Sequence, residues 1–314
     1  MNVPSAESLS NSQWKALQAA FGNRLQRDVP LAPYTAARIG GPADTLLTAD
    51  SVDELADAAI KLWEMRIPFF ILGGGSNILV SDAGVRGVVV LNRAKETRLD
   101  ETADPPIVWA GSGASFGQLA RKVSAKGLGG LEWATGVPGT VGGAVFGNAG
   151  AHGSDVAANL RVAEILHQDG HREEWSVEKM EYAYRSSGLK RKSQNALILS
   201  ATFELTRSTT EQTRKFVENY SNFRHQTQPP GASTGSMFKN PPNDYAGRLI
   251  EAAGLKGTRI GSAEISPVHA NFFISNGKTR AADIFELIKL AQEKVSEKFG
   301  VDLELEIELI GEWN

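Results

Sequence analysis

The sequence predicts an α+β protein: two α/β subdomains that each carry a glycine-rich loop, then a smaller C-terminal α/β domain. Three observations predict it. Stretches of helical and strand periodicity alternate along most of the chain. Two uncharged glycine-rich segments, Gly73-Gly74-Gly75-Ser76-Asn77 and Thr135 through Asn148, lie well apart. Composition shifts at Gln228-Pro229-Pro230-Gly231, which reads as a linker. The linker sets off a third unit (229–301), and the expected division of the rest is an N-terminal extension (1–30), a first subdomain (31–95) and a second (96–228, joined by a terminal strand at 302–314).

The extension holds a helix from Ser12 to Phe21 and a connector. Ser51 and Glu54 form a capping-box pattern. The helix they open runs to about Trp63, with Leu55, Ala59 and Leu62 on one face. Ile67 to Leu72 is a short apolar strand ending at the first glycine loop, and Val85 to Leu91 is another. Pro106 to Ala110 is a strand and Ser115 to Ala125 a helix. Arg161–Leu166 and His171–Trp175 form a hairpin through Asp169-Gly170. Ala196 to Leu205 is a strand and Thr209 to Phe223 a helix. Past the linker, helices run from Tyr245 to Ala253 and from Arg280 to Phe299. Asp302 to Ile310 alternates Leu/Ile with Glu. It reads as a half-buried strand with Glu304, Glu306 and Glu308 on one face.

Composition excludes several function classes. At 314 residues the chain can bury a large core. A net charge of −3 argues against a nucleic-acid binder. The absence of cysteine removes disulfides, thiolate nucleophiles, iron–sulfur clusters and Cys-based zinc sites. No apolar run approaches the roughly 18 residues a membrane span needs. No basic segment followed by an apolar one opens the chain, so a cytoplasmic protein is expected. The five histidines form no metal-ligand pattern, since His167 and His171 flank a turn.

Successive free N–H groups in the loop 73–77 can cradle an anion, with Ser76 and Asn77 adding side-chain donors. Neither glycine loop ends in the Gly-Lys-Ser/Thr of a P-loop. Gly111-Ser112-Gly113 precedes a helix as a Rossmann start would, but the third glycine is displaced to Gly117 and the acid, Glu132, is off-pattern. Gly235-Ser236-Met237-Phe238-Lys239-Asn240-Pro241 packs a hydroxyl, an amine and an amide into one short segment, a composition suited to polar chemistry.

The motifs resemble a known family. Arg38-Ile-Gly-Gly-Pro-Ala43 with Leu72-Gly-Gly-Gly-Ser-Asn-Ile-Leu79 resembles the FAD-binding domain of the PCMH/vanillyl-alcohol-oxidase type. Gly136-Val-Pro-Gly-Thr-Val-Gly-Gly143 and Gly147-Asn-Ala-Gly-Ala-His-Gly153 resemble its second FAD loop. Tyr184-Arg185-Ser186-Ser187, Gln228-Pro229, Gly235 through Pro241, Ala246 to Gly257 and His269-Ala-Asn-Phe272 narrow the resemblance. They point to the UDP-N-acetylenolpyruvoylglucosamine reductases of peptidoglycan synthesis, in the shorter subtype that lacks a tyrosine-bearing insertion. The likeness covers residues 33 to 312. Ala37 and the pair Arg224-His225 depart from it, where an aromatic and two arginines are common.

The resemblance implies an enzyme that uses NADPH to reduce non-covalently bound FAD and passes hydride to the enolpyruvyl group of UDP-N-acetylglucosamine enolpyruvate. It implies that Arg185 holds the substrate carboxylate, Ser236 protonates the carbon and Glu306 polarises the carboxylate region. Glu304 and Glu308 read as solvated residues. FAD is expected on Gly73, Gly74, Gly75, Ser76, Asn77, Thr135, Gly136, Gly139, Thr140, Gly143, Gly147 and Asn148. Tyr184, Lys239, Asn240, Tyr245, Lys256 and Asn271 are expected to meet the UDP-sugar, with Lys239 also supporting Ser236. Arg224, His225 and Arg248 are candidates for a 2′-phosphate, and His152 is a remote candidate for covalent flavin. A monomer is expected, with no metal, nucleic-acid or membrane partner. The alternatives are an oxidase or dehydrogenase of the same fold acting on an alcohol or sugar, and a nucleotide-sugar-binding regulator without chemistry, against which the set Arg185, Ser236 and Glu306 speaks.

Overall fold

The computed structural model describes residues 9–192, 195–276 and 278–313. The first eight residues of the expected extension lie outside the described residues. The rest of that extension is part of the first subdomain. A helix spans Asn11–Phe21, opened by a reciprocal capping box between Ser10 and Gln13. Leu25–Pro30, expected to be a connector, is a strand that pairs antiparallel with Pro42–Ala49. Pro42–Ala49 and Phe69–Leu72 then flank Val85–Asn92 in parallel. That central strand is covered on both faces, which is why it reads as an almost unbroken apolar run.

The helix Val52–Glu64 begins at Ser51, whose hydroxyl accepts from the Glu54 N–H at 3.1 Å. The expected reciprocal bond shifts by one residue: the Glu54 carboxylate accepts from Asp50 instead. Leu55 and Leu62 pack against Val88 and Val90 of the first sheet and against Leu166, Leu197 and Leu199 of the second. One helix thus joins the two subdomains.

The second sheet is antiparallel, in the order Arg172–Trp175, Leu160–His167, Ala196–Glu204, Ile107–Gly111, Thr97–Asp100. The helices Phe116–Ser124 and Val141–Gly147 pack on it through Phe116, Val141 and Val145. The second of these helices lies inside a stretch the sequence reads as loop. Glycines at 142, 143 and 147 hid its period, since glycine is a poor helix former.

The third sheet runs Ala232–Ser236, Phe272–Ser275, Ala263–Ile265, Arg259–Ile260, with the helices Ala246–Ala252 and Ala281–Phe299 behind it. Ala37, Ile39 and Leu79 of the first subdomain share its core.

Two expectations about the terminal segment are overturned. Only Glu308–Ile310 is strand, and it pairs in parallel with Ile78–Val80 of the first subdomain, not with the second. A bend at Glu306 and Ile307 breaks the alternation, so Leu303, Ile307 and Ile310 are the buried residues. Glu304, Glu306 and Glu308 therefore do not share one solvated face. Among the described residues no helix is long and apolar enough to cross a membrane.

Candidate active site

The two glycine loops meet backbone to backbone. A Cβ on Gly74 would lie 2.8 Å from the Gly139 Cα, and one on Gly75, where φ is +58°, would lie 2.2 Å from the Tyr34 carbonyl oxygen. Only glycine allows this approach. The N–H groups of Gly74, Gly75, Ser76 and Asn77 donate to no acceptor among the described residues, the arrangement an anion needs. A groove of roughly 500 Å³ opens beside the loops and runs inward past Phe70, Ala196 and Ile198. It has one end of free amides for a diphosphate and apolar walls for flat rings. The residues present fit FAD.

Gly73 through Asn77, Gly139, Thr140, Gly143 and Gly147 all line this groove. Thr135, Gly136 and Asn148 do not. The Thr135 hydroxyl donates to the Glu132 carbonyl, and Gly136 makes room for the Arg224 side chain. Asn148 ends the helix Val141–Gly147 in the left-handed region, at φ +46°. Its Nδ2 donates to Asp155 and to the Ala183 carbonyl, and its Oδ1 accepts from Ala157. All of its amide is spent on protein.

The Ala183 contact is one of three stitches that hold the Arg185 turn. Tyr182 Oη donates to the Val145 carbonyl at 3.0 Å, and Ser187 Oγ donates to the Phe146 carbonyl at 2.7 Å. Between them Ala183 and Ser186 exchange backbone bonds, and Arg185 sits at φ +54°. A left-handed arginine costs of the order of 1–3 kcal/mol and persists only where its surroundings impose it. Here the end of the glycine-rich helix does so, and it turns Arg185 toward the groove.

Arg185 Nε lies 2.9 Å from Glu306 Oε1. The Nε–H is aimed off that oxygen and finds no hydrogen-bond partner among the described residues, so a buried donor is left for a further acceptor. Burial pushes the Glu306 carboxyl above the usual carboxylate range, against the pull of Arg185, Lys190 and Lys239. Ser236 completes the wall. It ends a strand whose pairing slips between Ser233 and Ser236, and Gly235 takes φ +81° at the irregularity. The Ser236 hydroxyl has no hydrogen-bond partner among the described residues. Thr234 Oγ1, buried beside it, is also unpartnered.

None of the six expected UDP-sugar residues lines the groove. Asn240 Oδ1 accepts from Ala246 N at the start of a helix. Asn271 is buried and clamps Phe238, accepting from its N–H at 2.9 Å and donating to its C=O at 2.8 Å. Lys256 pairs with Glu251. Lys239, expected to support Ser236, is engaged by Glu304. Tyr184 and Tyr245 are exposed. Of the 2′-phosphate candidates only Arg224 reaches the groove. His225 is exposed, and Arg248 is held by Asp244.

The sequence reading missed Lys190 and Glu308, an ion pair that lines the groove at 2.9 Å. His152 also reaches it, its ring stacked 4.2 Å from Tyr220. The only signal for Lys190 is its place one turn past the Ser187 cap, five residues after Arg185.

Two predictions arise here. Gly74→Val should give a folded protein that purifies without flavin colour, because the loops are forced apart. Recovery of the wild-type flavin content would overturn the cradle. Glu306→Gln tests the burial. A carboxyl raised above its ordinary value of 4.5 stabilises the fold fully below that pH and less as pH rises through the raised value. Above pH 4.5 the melting temperature of the variant should therefore gain on that of the wild type. A pH-independent gap would count against it.

Residues 43–176 match the FAD binding domain family, and residues 226–310 match the UDP-N-acetylenolpyruvoylglucosamine reductase C-terminal domain. The UDP-N-acetylenolpyruvoylglucosamine reductase of Chloroflexus aggregans is 43% identical over 289 residues, covering 91% of this chain and 97% of that protein. That of Bacillus subtilis is 41% identical, covering 90% and 92%. The crystal structure of the reductase from Thermus caldophilus superposes with a TM-score of 0.78 at 35% identity, covering 91% of this chain and 99% of that one. The fold is thus the expected FAD-binding type, and the chain belongs to the UDP-N-acetylenolpyruvoylglucosamine reductase family.

Proposed function

We propose that this chain reduces the enolpyruvyl double bond of UDP-N-acetylglucosamine enolpyruvate, with FAD in the groove and NADPH as the electron source. The observation that carries the reading is the meeting of Arg185 and Glu306 at 2.9 Å beside the glycine-loop groove, with the free hydroxyl of Ser236 on the same wall. FAD, when bound, supplies hydride transfer from NADPH to the substrate.

The protein's own groups do the rest. Addition of hydride to the double bond places negative charge next to the substrate carboxylate. The planar fork of Arg185 suits a carboxylate and stays charged at any working pH. Its unpartnered Nε–H is the donor that such a group would complete. Glu306, whose carboxyl burial shifts upward against the pull of Arg185, faces the same region and is the group that would polarise the substrate carboxylate. Ser236 then delivers a proton to carbon. Lys239 lies in the field of Glu306, and Tyr184, Tyr245 and Lys256 are kept as candidates for the nucleotide. Asn271 is not, since both ends of its amide are engaged by the Phe238 backbone, whereas Asn240 keeps an Nδ2 with no partner among the described residues and stays a candidate. The reading extends to a cytoplasmic monomer, which cell fractionation and size-exclusion chromatography test.

The first experiment measures NADPH oxidation by the purified protein with and without UDP-N-acetylglucosamine enolpyruvate. Oxidation that requires the sugar nucleotide supports the proposal. A flavin-loaded protein indifferent to it, and reoxidised rapidly by oxygen, moves the assignment to an oxidase of the same fold.

A further inference from the structure

The terminal segment carries glutamates at three alternate positions, and each is held by a cation from a different element. Glu304 takes Lys239, which follows the strand Ala232–Ser236. Glu306 takes Arg185 from the strained turn, and Glu308 takes Lys190 from the short helix Gly188–Arg191. The third rung differs from the first. Glu304 is 71% exposed, whereas the Lys190 and Glu308 side chains are 22% and 29% exposed and both line the groove. A pair so covered is screened less than a surface one.

The rung also closes a frame around Arg185 and Glu306. Lys190 lies on the segment that begins at Ser187, which is tied to Phe146. Glu308 N–H donates to the Asn77 carbonyl at 2.9 Å, and Asn77 Nδ2 donates to the Glu306 carbonyl at 3.0 Å. One side of the frame is thus the terminal segment, tied to the expected cofactor loop, and the other is the turn that carries Arg185. Among the described residues, the ion pairs Arg185–Glu306 and Lys190–Glu308 are the charged contacts between these sides.

We propose that Lys190 and Glu308 form a positioning pair for the proposed reaction, fixing Arg185 against Glu306 and shielding Glu306 from the ammonium of Lys190. The inference rests on the functional reading given above. The charged groups that face Glu306 are Arg185, Lys190 and Lys239, with Glu304 and Glu308 on its own segment. His152 and Arg224 line the same groove. Removing one member of the pair changes this balance in a direction that depends on which member is lost. Without Lys190, Glu306 loses a cation and faces an uncompensated Glu308. Without the Glu308 charge, Lys190 is free to turn to Glu306.

The test is a ¹³C NMR titration of glutamate carboxyls in the FAD-loaded protein, with Glu306 assigned through Glu306→Gln. Lys190→Met should raise the Glu306 midpoint and Glu308→Gln should lower it, each by about one pH unit, the size of one partly screened charge pair. The double variant Lys190→Glu with Glu308→Lys should recover the melting temperature lost in the single variants. Single variants that lose stability but shift the midpoint in the same direction, or not at all, would reduce the pair to a structural contact. A swap no more stable than the single variants would also overturn the proposal. The titration uses no substrate. Its failure is therefore distinct from failure of the functional reading, which would show as NADPH oxidation indifferent to the sugar nucleotide.

Discussion

Ser236→Ala should slow reoxidation of the reduced enzyme by UDP-N-acetylglucosamine enolpyruvate by about 10²- to 10⁴-fold, the span of one general acid. Reduction of bound FAD by NADPH should be far less affected, since no proton from this wall is needed there. The physical case rests on placement. A serine hydroxyl is a weak acid and gains a catalytic role only where its proton is held ready and the charge left behind is stabilised. The slipped pairing at Gly235 sets the residue on the groove, with no acceptor among the described residues to claim its proton. The groove also carries Arg185 and Lys190. Stopped-flow absorbance separates the two half-reactions. A variant in which flavin reduction collapses while reoxidation survives would show that Ser236 acts elsewhere.

Arg185→Lys should cost about 10²- to 10³-fold in the same step, comparable to loss of one preorganised donor at a developing anion. An ammonium keeps the charge but not the fork, and the left-handed backbone at 185 confines where its single nitrogen can reach. Arg185→Ala should do more. Arg185 offers the largest pull opposing the burial of Glu306, so its loss should move the Glu306 midpoint further above the ordinary carboxylate range. A pH profile of the substrate step whose Glu306 limb moves upward in Arg185→Ala, and less in Arg185→Lys, fits this reading. An unmoved limb would separate the two residues.

The parts of this protein that could be read in its sequence are those governed by local chemistry. Ser51 and Ser115 open helices where the pattern places them, because an N-cap needs only the next turn. The loop 73–77 was legible because free amides and missing side chains are properties of that segment alone. What could not be read depended on distant partners. The amides of Asn148 and Asn271 resembled ligands in the sequence, yet they are engaged within the protein, Asn148 by Asp155, Ala157 and the Ala183 carbonyl and Asn271 by the Phe238 backbone 33 positions away. Glu308 was misread for a different reason. Strand alternation assigns faces only while the chain stays extended, and the bend at Glu306 ends that rule two residues early. Lys190 had only its place after the Ser187 cap to mark it, since the residue that gives it meaning lies on the terminal strand.

The bond between Asn77 and Glu306 spans 229 positions. During synthesis the cofactor loop and the Arg185 turn emerge long before the carboxylate that completes the site. Contacts of such separation close late, after the loop-closure entropy has been met by local structure. A nascent chain can therefore have built its glycine cradle while still lacking the acid that faces Arg185, and competence for chemistry would arrive with the last strand. Ribosome-stalled chains ending before Glu306 would hold the cradle without the ion pair, so the order of translation itself delays the reaction.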